Sequence, residues 1–163
     1  MSKPMSLSQF LSASADSGVG AAAPASVLGV LPIGAAEFSG VRGRIPSDYL
    51  AREVRGRRMR TVAEVFDEFA AAFQFPYYFG ENKDAFDECL RDLDEFVGAA
   101  RGYVVVVRNA ALLLDEEPGD RGWFAEAMTD AAAAWAKQGV VFRVVLQDAT
   151  PPGLDAVALT LAD

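Results

Sequence analysis

The sequence predicts an α/β domain, a small three-stranded parallel sheet packed by helices and preceded by an N-terminal extension. Tyr103-Val-Val-Val-Val107 is a continuous apolar run of the kind buried on both faces of a parallel sheet, and Val140–Leu146 reads as another buried strand, apolar except for Arg143. The segments between the candidate strands repeat their apolar residues at helical spacing. The resulting order is strand, two helices, strand, helix, strand. Right-handed crossovers turn that order into a parallel sheet with helices against it.

Residues 1–46 form an Ala/Gly/Pro-rich extension of unassigned role, residues 47–150 the α/β domain, and residues 151–163 a C-terminal tail. Within the extension, residues 17–36 carry no charge over 20 positions, just long enough to span a bilayer. Pro24, Pro32 and four glycines argue against a spanning helix. A signal peptide fits poorly too, because Lys3 is a lone positive charge and Ser8 and Gln9 interrupt the apolar run Leu7–Leu11. One short strand near Val27–Ile33 is the remaining expectation.

The domain proper begins with a candidate strand, Tyr49–Arg55, ended by Gly56. Thr61-Val-Ala-Glu64 has the form of a capping box at a helix start. Behind it Val62, Val65, Phe66, Phe69 and Phe73 are spaced to face a core. Pro76 lacks an N–H and restricts Phe75, so the helix stops there, and a second begins near Asn82. A later helix runs from Asp120, as its cap, to Gln138, with Phe124, Ala127, Met128, Ala131 and Trp135 as its apolar stripe. Gly139 is placed to end it in a left-handed conformation. The sequence offers no account of Arg143, a charge inside the last strand.

Composition narrows the chemistry. The 163 residues contain no histidine and one cysteine, Cys89. Ser-His and Cys-His nucleophiles, histidine metal ligands, internal disulfides and multi-cysteine zinc sites are all excluded. A reducing cytoplasm is the compartment expected of such a chain. The net charge of −8 opposes nonspecific binding to nucleic acid or to anionic membrane. Charge is nonetheless unevenly placed: seven arginines fall between Arg42 and Arg60, while residues 75–96 are strongly acidic. The basic segment is read as solvated surface, not as an RNA site, because it lacks a stacking platform.

The acidic stretch is read as one helix carrying Asp84, Asp87, Glu88, Asp92, Asp94 and Glu95. At 100° per residue, Phe86, Cys89, Leu90 and Leu93 point inward. Asp84, Glu88, Arg91 and Glu95 form the opposite pole, flanked by Asp87 and Asp92. Cys89 is then a small buried hydrophobe, not a reactive thiol. Like charges one turn apart weaken a helix slightly, so the ridge is either mere solubilising surface or wanted by something outside the helix. Tyr77-Tyr78-Phe79-Gly80 precede it. At least one of these rings staples the helix to the core, and an exposed one beside an acidic ridge suits a protein-binding surface.

Pro76, Tyr78, Phe79-Gly80-Glu81-Asn82, Asp84-Ala85-Phe86 and Glu88-Cys89-Leu90 resemble the signature of the barstar family. That signature reads Pro-x-Tyr-Tyr-Gly-Glu-Asn-x-Asp-Ala-hydrophobic-x-Asp-Cys-Leu, and the order of elements over residues 49–148 is similar as well. The resemblance implies a barstar-like fold and an intracellular inhibitor of a small basic ribonuclease, either a cognate secreted enzyme or a ribonuclease toxin. Such inhibitors block the active-site cleft with an acidic helix and the aromatic loop before it. Carried over by position, it makes Tyr78, Gly80, Asn82, Asp84 and Glu88 candidate contacts, with Phe79 and Asp87 at substituted positions of the same set. No catalytic residue, cofactor or metal is implied, and a monomer in a 1:1 complex is expected.

The departures are specific. Phe79 stands where the family usually has a second tyrosine, Asp87 where its namesake has tryptophan, and Glu88 where it has aspartate. A second acidic patch near the end of the last helix aligns with Ala134 and Gln138, which are uncharged. A cognate enzyme other than barnase, or a weaker and differently oriented complex, would follow. Two other functions stay open at this level: carboxylates Asp84, Asp87 and Glu88 serving an Mg²⁺ site or acid/base chemistry, and an interaction module whose partner is not a ribonuclease.

Overall fold

The computed structural model describes residues 4–12 and 26–162. Its elements are β1 (Met5–Ser6), α1 (Leu7–Ser12), β2 (Leu28–Leu31), α2 (Ala35–Phe38), β3 (Tyr49–Arg55), α3 (Val62–Phe73), α4 (Lys83–Arg91), α5 (Leu93–Val97), β4 (Gly102–Arg108), α6 (Arg121–Ala136), β5 (Val141–Gln147) and β6 (Val157–Thr160). A parallel sheet with helices is present, but it has six strands and not three, in the order β1-β6-β2-β5-β4-β3. Every neighbouring pair is parallel.

The expected trio β3, β4 and β5 forms one side of the sheet. The additional strands come from the two ends of the chain, and each is short. β1 has two residues and β6 four, too few to show a period of two. The strand expected near Val27–Ile33 is β2. Residues 17–25 of the uncharged run lie outside the described residues; Leu7–Leu11 belong to α1. Among the described residues no helix is long and apolar enough to cross a membrane.

Alternation along the strands divides the core into two layers. Tyr103, Val105 and Val107 of β4, with Phe142, Val144 and Leu146 of β5, face α3, α4 and α6. Val104, Val106 and Val145 face the other way, against Leu7, Phe10 and Leu11 of α1, Phe38 of α2 and Val41 beyond it. That is why β4 reads as an unbroken apolar run from Tyr103 to Val107, and β5 as one interrupted only by Arg143 before Gln147.

The same alternation accounts for Arg143. It shares the face of Val145 and lies buried under α1. Its Nε donates to the Phe10 carbonyl at 3.2 Å, its Nη1 to the Phe142 carbonyl at 2.9 Å, and its guanidinium stands 5.7 Å from the Phe10 ring centre. The Tyr49 hydroxyl donates to the Leu11 carbonyl at 2.7 Å. Carbonyls at the C-terminal end of a helix are left without intrahelical partners; here two side chains of the sheet satisfy two of those of α1, at Phe10 and Leu11.

Two helix starts differ from expectation in detail. Thr61 Oγ1 accepts the Glu64 N–H at 3.2 Å, as in a capping box, but Glu64 Oε1 accepts the Arg60 N–H at 2.8 Å, one residue before the cap. Asp120 precedes α6 without capping it; its carboxylate takes Lys83 instead. Gly139 has the left-handed φ of +73° expected of it.

Candidate functional site

The site is built on the corner between α3 and α4. α3 ends at Phe73 with Gln74 in the left-handed region (φ 56°). Pro76 starts a turn closed by the Phe79 N–H on the Pro76 carbonyl at 2.9 Å. A turn of this kind puts its two middle residues at the tip. Tyr77 is accordingly 100% exposed and Tyr78 68%. Phe79 turns inward, its ring 5.8 Å from Phe66 and 5.2 Å from Phe75. The staple and the exposed aromatics expected of this stretch are thus separate residues, and Tyr77, absent from the candidate set, is the most exposed of them. Its position directly after Pro76 and beside Tyr78 was the available signal.

Asn82 joins turn to helix. Its Oδ1 accepts the Ala85 N–H at 2.8 Å, capping α4, and its Nδ2 donates to the Gly80 carbonyl at 3.3 Å. A Cβ on Gly80 would lie 2.9 Å from that same Nδ2, so a larger residue there would disturb the link. Inward, Phe86 and Leu90 are fully buried, and the Trp135 indole donates to the Leu90 carbonyl at 2.8 Å, fixing α4 against α6. Cys89 is buried as expected; burial, with Asp92 and Glu88 adding to it, raises the thiol to about 11. At pH 8 the reactive thiolate is then about a thousandth of the total. Iodoacetamide should label Cys89 slowly in the folded protein and at the rate of a free cysteine in urea; equal rates would contradict its burial.

The acidic ridge is not one helix. α4 stops at Arg91, Asp92 adopts φ −118° and ψ 24°, and α5 begins at Leu93. Asp94 and Glu95 therefore occupy a first turn, where the free N–H groups of a helix favour negative charge. The like-charge crowding expected of a single helix is divided between two.

On α4, Asp84 and Glu88 are exposed one turn apart. Asp87 is half-buried, with its Oδ1 enclosed and hydrogen-bonded to nothing. Burial raises its carboxyl above the ordinary range, Arg91 opposes that, and Asp130 and Asp84 reinforce it. Lys83 turns away from the ridge: its Nζ lies 2.9 Å from Asp120 Oδ1 and 5.2 Å from the Trp123 ring centre. Elsewhere among the described residues some acids are paired, while others, such as Asp67, Asp92 and Glu126, have no cation within ion-pair distance. Glu68 holds Arg55 through two contacts of 2.7 and 2.9 Å, Asp115 holds Arg60, and Glu53 holds Arg108. Among the described residues Asp84 and Glu88 have no such cation.

These pairs also engage two of the seven arginines of the basic segment. Arg55 and Arg60 are engaged by acids, and Arg44 donates to the Leu161 carbonyl at 2.9 Å. On α6, Ala134 is half-buried, and Gln138 is exposed just past the helix end. Among the described residues no group of three or more Cys, Asp or Glu side chains is placed to hold a metal ion.

A family model, Barstar (barnase inhibitor), matches residues 49–147, well over half of the chain. The chain belongs to the barstar family. The matched barstar span starts at the first residue of β3 and ends at the last of β5, so it contains the turn at Tyr77–Tyr78, all of α4 and the α6 helix that supports it. The strands β1, β2 and β6 lie outside the barstar match. Comparison with curated proteins finds no match.

Proposed function

We propose that this barstar-family protein inhibits a small basic ribonuclease by filling its cleft with the α4 ridge and the Tyr77–Gly80 turn. The observation that carries the reading is the pair of exposed, uncompensated carboxylates on a helix fixed from behind, Asp84 and Glu88. A ribonuclease cleft holds Lys and Arg where phosphates bind. Carboxylates can occupy those positions, pair with the cations, and present no bond to cut. Because α4 is anchored through Phe86, Leu90 and Trp135, little ordering entropy is lost on binding. Opposite fields also speed encounter, an advantage when a toxic enzyme must be caught before it cleaves RNA.

In this reading Tyr78, Asp84 and Glu88 touch the enzyme, Gly80 and Asn82 shape the approach, Phe79 anchors the turn, and Asp87 lies at the buried margin of the contact. The protein acts in the cytoplasm as a monomer in a 1:1 complex, without catalysis, cofactor or direct contact with nucleic acid. Titration against a panel of small basic ribonucleases in an RNA-cleavage assay should give stoichiometric loss of activity with at least one of them. Absence of inhibition across the panel, with no nuclease co-purifying from the source cell, would leave an interaction module with another partner.

A further inference from the structure

The sequence pattern gives Tyr77 no part in the candidate contacts, yet it is the most exposed large apolar side chain of the described residues. Single exposed aromatics are ordinary; the arrangement around this one is not. The ring stands edge-to-face with Tyr78, 5.7 Å between centres and 81° between planes. Both project from a turn whose next residue, Phe79, is locked between Phe66 and Phe75. With Phe79 held there, the turn presents both tyrosines at its tip. It stands immediately before a helix whose outer carboxylates lack cations, while Lys83, the nearest cation in sequence, is held by Asp120 and Trp123.

An open aromatic face beside uncompensated negative charge attracts one chemistry above others, a cation that can lie flat on a ring. Planar guanidinium, less strongly hydrated than ammonium, suits it best. We infer that the Tyr77 ring is a docking site for an arginine of the partner, next to the cations met by Asp84 and Glu88. The inference rests on the proposed inhibitor reading for the identity of that partner. The ring itself requires only an arginine-bearing protein face. Tyr77 would then enlarge the contact by a position that the family signature leaves unspecified, and would help choose among basic enzymes.

Hexaarginine is the probe, with the uncharged isostere hexacitrulline as control, titrated at low salt while the tyrosine ring signals are followed by NMR. The Tyr77 signals should shift with hexaarginine and not with hexacitrulline. Tyr77→Leu should weaken hexaarginine binding about three- to tenfold, and Tyr77→Phe, which keeps the ring face, should stay within about twofold. Because Tyr77 makes no buried contact, both variants should melt with the parent, so a loss of binding is not a loss of folding. Hexaarginine binding by Tyr77→Leu within about twofold of the parent would overturn the inference. The ribonuclease panel is independent of this result. Hexaarginine captured by Tyr77 with no enzyme inhibited sinks the ribonuclease reading alone; an inhibited enzyme with Tyr77→Leu unchanged sinks this inference alone.

Discussion

Replacing Asp84 and Glu88 by alanine, singly and together, is expected to leave the fold intact and to damage inhibition. Both side chains are exposed and have no cation among the described residues, so neither change opens a cavity or breaks an ion pair. Removing one of two like charges one turn apart should keep stability within about half a kcal/mol of the parent, or improve it. In the complex each carboxylate faces a desolvated cation, and leaving that cation unpaired costs on the order of 2–5 kcal/mol, expressed mainly as faster dissociation. That range draws in part on the barnase–barstar interface itself and is not measured on this molecule. Asp92→Ala and Asp94→Ala, farther along, should instead slow association, and less so at high salt. Denaturant unfolding beside inhibition kinetics decides the matter. If Asp84 and Glu88 are neutral for inhibition while stability falls sharply, the ridge is structural.

The second large effect lies on the opposite face of the sheet. Phe10→Ala should destabilise the protein by about 3–5 kcal/mol, the range for emptying a fully buried aromatic site. The ring fills the layer between α1 and the sheet and covers the guanidinium of Arg143, so its loss also removes a cation–ring contact, while water entering beside Arg143 offsets part of the cost because burial disfavours that charge. Urea unfolding of the variant measures the cost. A change under about 1 kcal/mol would mean that residues 4–12 contribute little to the folded core. Cleavage assays on the same variant, below its unfolding range, should find inhibition unchanged, because α4 rests on the other layer.

The parts of this architecture that could be read from sequence are those governed by local rules. The runs at β4 and β5 declared burial on two faces, the stripe Val65–Phe73 declared a helix, and Pro76 and Asn82 marked where one helix ends and the next begins. What escaped were features set by distant partners. β6 is four residues after a Pro-Pro-Gly bend, and only its pairing with β2 and β1 makes it a strand. Asp120 has the right type and place for a cap, but Lys83, 37 positions away in sequence, claims its carboxylate. Arg143 could not be explained from its neighbours in sequence because one of its two carbonyl acceptors, and the ring that covers it, belong to Phe10, 133 residues earlier. At the site, residue types and helical phase located Asp84 and Glu88 on the outer face. The break at Asp92 and the inward turn of Phe79 depend on how the corner packs against α3 and α5, and no pattern of charge and hydropathy encodes that.

The pairing of β1 with β6 matches Met5 to Leu159, and it fixes an order of events during synthesis. The first strand made must wait for the last before its backbone has a partner. At about 5–20 residues per second, that interval is on the order of ten seconds. The corner that carries Tyr77, Asp84 and Glu88 draws its supports mainly from a shorter stretch, α3 through β5, and Leu154 is the buried residue of that layer that follows Gln147. Its partners are therefore closer together in the order of synthesis than those of the far edge of the sheet, where Met5 meets Leu159.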